Sequence, residues 1–260
     1  MITSRDNETI KYAAKLISSA KYRKEEKCFA AEGVRICTDG VLSGAEISLF
    51  LYTAAAKEKY PEEFGLLASK AKREYEVGDK LFSKISDTAS PQGFFCVFEA
   101  PDRSEVFSSE LRGGRFAALE NIQDPSNMGT IIRSAEALGM NGIILSGDCC
   151  DIWSPKVVRG SMGAIFRLPV MIAEDFTAYI RSLTAKGIHT YASTPHEAEN
   201  IRNIDFSSGG VMLIGNEGNG LKQETIEACE KRVRIEMKGR AESLNAAAAA
   251  AILLYNMQGQ

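Results

Sequence analysis

"VMLIGNEGNGL", residues 211–221, runs four apolar residues straight into a turn that holds three glycines. Apolar runs of this length read as strands buried on both faces, the kind found in parallel sheets. A glycine turn where such a strand ends lets a ligand lie close to the backbone. The glycine order limits which ligand. A dinucleotide fingerprint reads G-x-G-x-x-G with an acid about 20 residues further on. This turn reads G-x-x-G-x-G and carries Glu217 inside it. A phosphate loop would close on Gly-Lys-Ser/Thr, whereas Leu221, Lys222 and Gln223 follow here. Glycine order therefore argues against a nicotinamide-dependent oxidoreductase.

Outward from that stretch, the second half of the chain alternates strand and helix. "RFAALE", "GIILSG", "GIHTYAS", "VMLIG" and "RVRIEM" read as strands. Between them, Met128, Ile131, Ile132, Ala135 and Leu138 repeat at helical spacing. The pattern predicts an α/β fold with a parallel sheet, whose ligands bind beyond the carboxyl ends of the strands. The loops after "ALE", "YAS", "LIG" and "IEM" mark the expected site. The first half also alternates, with a helical stripe in Asn7–Ala20 and β-rich runs "CFAAEG", "EISLFLYT", "REYEV" and "GFFCVFEA". It reads as a small α/β unit. "PDRSEVFSSELRGG", residues 101–114, reads as a linker, so the expected domains are 1–105 and 106–260. Near the C-terminus six alanines, Ala246–Ala251, read as a tightly packed helix with Ser243 as its N-cap.

Bulk composition narrows the class further. The 260 residues are 45% hydrophobic and 25% charged with net charge −3, so any nucleic-acid partner must be held by a local patch. No apolar stretch approaches the ~18 residues of a membrane span. The N-terminus lacks a signal-peptide pattern, and a cytoplasmic location is expected. Six scattered cysteines without a C-x-x-C read as reduced, mostly buried thiols. Two histidines, His189 and His196, are too few for most metal sites. No metal is expected, and both histidines read as structural, although His196 follows a strand end and could touch a ligand.

Three stretches carry a resemblance. "ENIQDPSNMGTIIRSAEALG", "LIGNEGNGL" and "IEMKGRAESLNAAAAAAILLY" resemble, in order and spacing, the three motifs of the SpoU (TrmH) family of the SPOUT superfamily. "SPKVVRGSMGAIFRLPV" is also similar to family members, and "KYRKEEKCFAAEG" with the later "SPQG" resembles the substrate-binding domain often fused ahead of the catalytic one. The resemblance implies an S-adenosylmethionine-dependent RNA ribose 2′-O-methyltransferase. It implies a C-terminal parallel-sheet domain with a deep trefoil knot, and a homodimer. The extra domain makes ribosomal RNA the expected substrate, with transfer RNA as the alternative, a resistance methyltransferase as a narrower variant, and a non-catalytic RNA-binding protein from another class.

The same resemblance places residues. Gly215, Ile235 and Leu244 fall on cofactor-contact positions, with Gly220 and Met237 beside them; the backbone would read the adenine edge and the apolar side chains would exclude water. Asn127 becomes an active-site residue that orients Arg133, and Arg133 the catalytic arginine. A role as proton acceptor sits badly with a guanidinium, which has no acceptor and a pKa above ~12. Binding the adjacent phosphate and stabilising alkoxide charge suits it better. Glu217 could hold Arg133 or fix its own loop. Ser243 and Asn245 open the last helix, where Asn245 could hold the loop or the ribose. For RNA, Lys21, Arg23 and Lys24 beside Tyr22, together with Arg35, form a basic–aromatic patch; Lys156 and Arg159 are further candidates on the catalytic half. One departure stands out: Glu236 occupies a position where the family usually has proline, and is expected to put a charge beside the cofactor pocket.

Overall fold

The computed structural model describes residues 1–88 and 90–258, which fold into two compact units. The first comprises Met1–Pro101 and Asp151–Phe166; the second comprises Asp102–Cys150 and Arg167–Gln260.

The first unit is built on four strands: β1 (Cys28–Glu32), β2 (Ile47–Tyr52), β3 (Glu74–Glu76) and β4 (Phe94–Glu99). They lie in the order β1-β4-β2-β3, antiparallel except for the parallel β2–β3 pair. The aromatic and β-branched runs in β2 and β4 are buried almost throughout, so helices must cover both faces. On one face Ile10, Ala13 and Leu16 of the Glu8–Ser18 helix pack with Leu49, Leu51, Phe95 and Val97. Elsewhere in the unit Phe29 stacks on Trp153 at 4.5 Å between ring centres, and Phe98 meets Phe166 edge-on at 4.8 Å. Those contacts show why the Asp151–Phe166 segment, read from sequence as part of the second half, is built into the first unit: its aromatic residues complete that core.

The second unit holds a seven-stranded sheet in which every pairing is parallel. Its strands are β5 (Arg115–Leu119), β6 (Gly142–Ser146), β7 (Val170–Ala173), β8 (Thr190–Ser193), β9 (Glu199–Asn200), β10 (Gly210–Ile214) and β11 (Lys231–Arg234), in the order β7-β6-β5-β10-β8-β11-β9. The opening stretch is β10, at the centre and fully buried. The expected helical stripe lies on the Pro125–Ala137 helix, where Met128, Ile131, Ile132 and Ala135 are buried. The Ala246–Met257 helix packs against that helix and against β10. Its small alanines allow the close approach.

Several expectations are corrected here. The stretch 101–114 is not a plain linker: it forms a short helix, Val106–Ser109, and buries Phe107 and Leu111 in the core of the second unit. Its two apolar side chains matter more than its polar composition. Strands β7 and β9 escape a sequence reading, because β9 is two residues long and β7 is half-exposed at a sheet edge. The last helix is capped by Asn245, not Ser243: the Asn245 side chain accepts hydrogen bonds from the N–H groups of Ala247 (3.0 Å) and Ala248 (3.2 Å).

Candidate active site

A cleft of about 760 Å³ opens in the second unit beyond the carboxyl ends of β8, β10 and β11, a size within the usual range for small-molecule sites. Its walls are Ser193–Glu197 after β8, the glycine turn after β10, Ile235 and Met237 after β11, and Ser243, Leu244 and Leu253 from the last crossing and helix. Gly215, Gly220, Ile235, Met237 and Leu244 thus meet in one hollow, together with Glu217 and Ser243. His196 lines it too, whereas His189 is spent on Glu230 at 2.7 Å. Of the four expected loops, the one after β5 does not line the hollow but braces it. Buried Glu120 accepts hydrogen bonds from the Lys222 N–H (2.8 Å) and the Thr225 hydroxyl (2.7 Å), and the Asn216 amide donates to the Asn121 carbonyl at 2.8 Å.

The glycine turn owes its shape to close backbone contact. Asn216 and Gly220 exchange backbone hydrogen bonds of 3.1 and 3.0 Å, and the Asn216 side chain accepts from the N–H groups of Gly218 and Asn219. A Cβ on Gly215 would lie 2.1 Å from the Gly220 carbonyl carbon. Gly220 has φ +69°, a conformation that favours glycine. The glycines are therefore needed first so that the loop can fold onto itself. Sequence reading undervalued Glu120 and Asn216, whose signals, an acid directly after a strand and an Asn before a glycine turn, are too common to single them out.

A polar chain runs beside the turn. Asn127 donates from Nδ2 to Glu217 Oε1 at 2.8 Å and accepts at Oδ1 from Asn245 Nδ2 at 2.9 Å. Three residues from three motifs are thereby locked, and Asn127 is buried among them. Asn127 does not cap its helix; Asp124 does, accepting from the Ser126 N–H at 2.9 Å. Glu217 holds Asn127 rather than Arg133. Arg133 itself is exposed, lies outside the cleft lining, and has no side-chain partner among the described residues. Glu236 is exposed, accepts from Asn200 Nδ2 at 3.3 Å and does not line the cleft. The expected charge beside the pocket is thus directed toward Asn200.

The expected RNA patch is only partly available. Arg23 is buried: Nη2 pairs with Asp151 at 2.7 Å, and Nη1 donates to the carbonyls of Leu16 (2.5 Å) and Ile17 (3.0 Å). It is a structural cation and is withdrawn as an RNA contact. Lys21 and Lys24 are exposed, with Lys21 3.8 Å from Glu25, and Arg35 is exposed on its helix. Lys156 is exposed, Arg159 pairs with Asp87 at 2.6 Å, and both belong to the first unit rather than to the catalytic half. The six cysteines are free thiols; burial raises Cys149 and pushes Cys229 up to about 12, so neither is a thiolate near neutrality.

A parallel α/β unit with a glycine-turn cleft at its strand ends, and an amide–carboxylate chain beside it, is the architecture of a SPOUT-type methyltransferase. The chain belongs to the SpoU rRNA Methylase family, which matches residues 115–255; residues 7–96 match an MRM3-like substrate binding domain. It is 31% identical to a 23S rRNA (uridine(2479)-2′-O)-methyltransferase of Streptomyces viridochromogenes, over 98% of this chain and 90% of that protein. It is 27% identical to the 23S rRNA (guanosine(2553)-2′-O)-methyltransferase RlmP of Bacillus subtilis, over 99% of both. Among solved structures, an AdoMet-bound rRNA methyltransferase from Sinorhizobium meliloti superposes with a TM-score of 0.88 at 32% identity, covering 99% of this chain and 96% of that one.

Proposed function

We propose that the chain methylates the ribose 2′-hydroxyl of ribosomal RNA, using S-adenosylmethionine held in the cleft after β8, β10 and β11. The observation that carries this reading is the meeting of Gly215, Ile235, Met237 and Leu244 in one hollow, with Asn127, Glu217 and Asn245 hydrogen-bonded beside it. The residues fit the group. Leu221, Ile235, Leu244 and Leu253 offer apolar walls for a purine. Met237, Glu242 and Ser243, which line the cleft, make no backbone–backbone hydrogen bond among the described residues, which leaves N–H and C=O groups to read its edge. When bound, the cofactor supplies a methyl group on a sulfonium centre.

The protein's own residues then position and stabilise. Asn127, fixed by Glu217 on one side and Asn245 on the other, holds the glycine turn against the start of the last helix. Arg133 presents five N–H donors and no acceptor, so it binds the neighbouring phosphate and stabilises negative charge as the hydroxyl loses its proton. Ser243, facing the cleft, hydrogen-bonds the ribose. The relatives act on a uridine in one case and a guanosine in another, which agrees with a site built to read sugar rather than base.

The enzyme works as a homodimer, and this accounts for Arg133. Beside it Ser134, Ala137, Leu138, Ala251, Ile252 and Tyr255 form a shallow apolar hollow on two helices, with Ile252 39% and Tyr255 66% exposed. Packing two such faces together covers the hollow and carries Arg133 of the partner subunit toward the cleft. The crossing from β11 to a helix seated on β10 forms the thread of a trefoil knot, as the family implies. The first unit, 1–105 by sequence, grips RNA through Lys21, Lys24 and Arg35. Among the described residues no helix is long and apolar enough to cross a membrane; the location is cytoplasmic, with the ribosome's RNA. Mapping 2′-O-methyl groups in ribosomal RNA from cells with and without the gene tests the reading. One methylated ribose lost on deletion is expected, and an unchanged map contradicts it.

A further inference from the structure

We propose that the segment leaving β11, through Arg234, Lys238 and Arg240, is the phosphate grip that seats the RNA backbone at the mouth of the cleft. The inference rests on the RNA reading above and names where the catalytic unit itself holds its substrate.

Charge is the first observation. Lys231–Arg240 holds five bases and one acid, net +4, whereas the whole chain carries −3, so the other 250 residues carry −7. An acidic protein that binds a polyanion needs its cations concentrated at the point of contact. Availability is the second. Arg232 is committed to Glu197 at 2.9 Å. Arg234, Lys238 and Arg240 are exposed and make no ion pair or side-chain hydrogen bond among the described residues. The one acid, Glu236, is turned to Asn200. The basic run Lys21–Lys27 contrasts with this: it includes two glutamates, its Arg23 is buried on Asp151, and Lys21 lies near Glu25.

Position is the third observation. Arg234, Ile235 and Met237 line the cleft, so Lys238 and Arg240 follow directly on from its wall. A ribose brought to this cleft carries a phosphate on either side, each with a negative charge to be met. Arginine meets phosphate as a planar fork and lysine as a mobile point charge. Neither reads bases, so the grip is indifferent to sequence.

The test uses the full-length double variant Lys238→Gln/Arg240→Gln, since neither residue lines the cleft. Binding to a single-stranded ribosomal RNA fragment is followed by fluorescence anisotropy between about 50 and 200 mM salt. Removing two phosphate contacts should make the slope of log K against log salt shallower by about 1.4, at ~0.7 per contact on a single strand, with similar weakening for unrelated sequences. Affinity for S-adenosylmethionine, by calorimetry, should stay within about threefold. The charge-keeping Lys238→Arg/Arg240→Lys variant should retain the wild-type slope. An unchanged slope in the Gln variant overturns the inference, as does a charge-keeping variant that loses its slope equally. Failure of the methylation reading is separate: it would show as wild-type protein that leaves RNA unmethylated, whatever the slopes.

Discussion

A single side chain, Arg23, shows how burial reassigns a residue that composition places on the surface. It lies in a basic run beside Tyr22, yet its guanidinium bonds to Asp151 and to the carbonyls of Leu16 and Ile17. Removing one partner of a buried pair leaves the other uncompensated and costs about 3 kcal/mol or more. Arg23→Ala should therefore lower the thermal midpoint by roughly 10 °C, at about 3–4 °C per kcal/mol for a unit of this size, while the salt dependence of RNA binding stays at the wild-type slope. A shallower slope at unchanged midpoint would return Arg23 to the RNA surface. Asn127 is the opposite case, a residue whose neighbours were legible only through motif order. Its two hydrogen bonds join Glu217 and Asn245, which lie 90 and 118 positions away. Glu217→Gln keeps the shape but loses the charge assistance, worth about 1–1.5 kcal/mol. A fall in kcat of about tenfold is expected, with Asn127→Ala falling further; full rate in Asn127→Ala would remove the chain from catalysis. For Arg133, an electrostatic role predicts that Arg133→Lys keeps part of the rate and leaves the pH–rate profile in place. A rate that climbs with pH up to lysine's pKa would instead favour proton acceptance, because a lysine base must first lose its own proton.

At the scale of elements, the sheet was legible and the crossing was not. The central strand β10 could be read because it is buried on both faces and so is apolar at every position. The two-residue β9 carries no such pattern, and β7, apolar throughout, is only four residues long and lies half-exposed at the sheet edge. The crossing after β11 has no periodicity at all, and its contribution to the cleft could be expected only from motif resemblance. Gly215 was legible as a necessity through clearance for a ligand, and the structure adds a second reason that the sequence does not carry: Gly220 lies within 2.1 Å of any added Cβ. Gly215→Ala must push the turn apart, at a cost of about 1–3 kcal/mol. S-adenosylmethionine affinity should drop about 10- to 100-fold by calorimetry while the circular dichroism of the sheet is kept. Unchanged affinity would detach the turn from the cofactor. Glu236 makes the complementary case. Because it faces Asn200, Glu236→Gln should alter cofactor affinity by no more than about threefold. A larger gain would put its charge back beside the pocket.

For the whole molecule, the central claim is that two folding units serve one reaction, with a cleft on one chain and an arginine supplied by another. Mixing Arg133→Ala subunits with Gly215→Ala subunits, at a cofactor concentration too low to fill the Gly215→Ala cleft, should restore part of the activity, because a mixed dimer rebuilds one complete site; silence in the mixture would confine each site to its own chain. The reaction has a sharper signature, which lies in the product. Alkaline cleavage of RNA requires a free 2′-hydroxyl, so a methyl group there protects the adjoining linkage. Purified protein should be incubated with ribosomal RNA and S-adenosylmethionine labelled in its methyl group, and the RNA then hydrolysed in alkali. The label is expected in a single alkali-resistant dinucleotide; label released in mononucleotides, which would mean methylation of a base, or no label in RNA, would contradict ribose 2′-O-methylation.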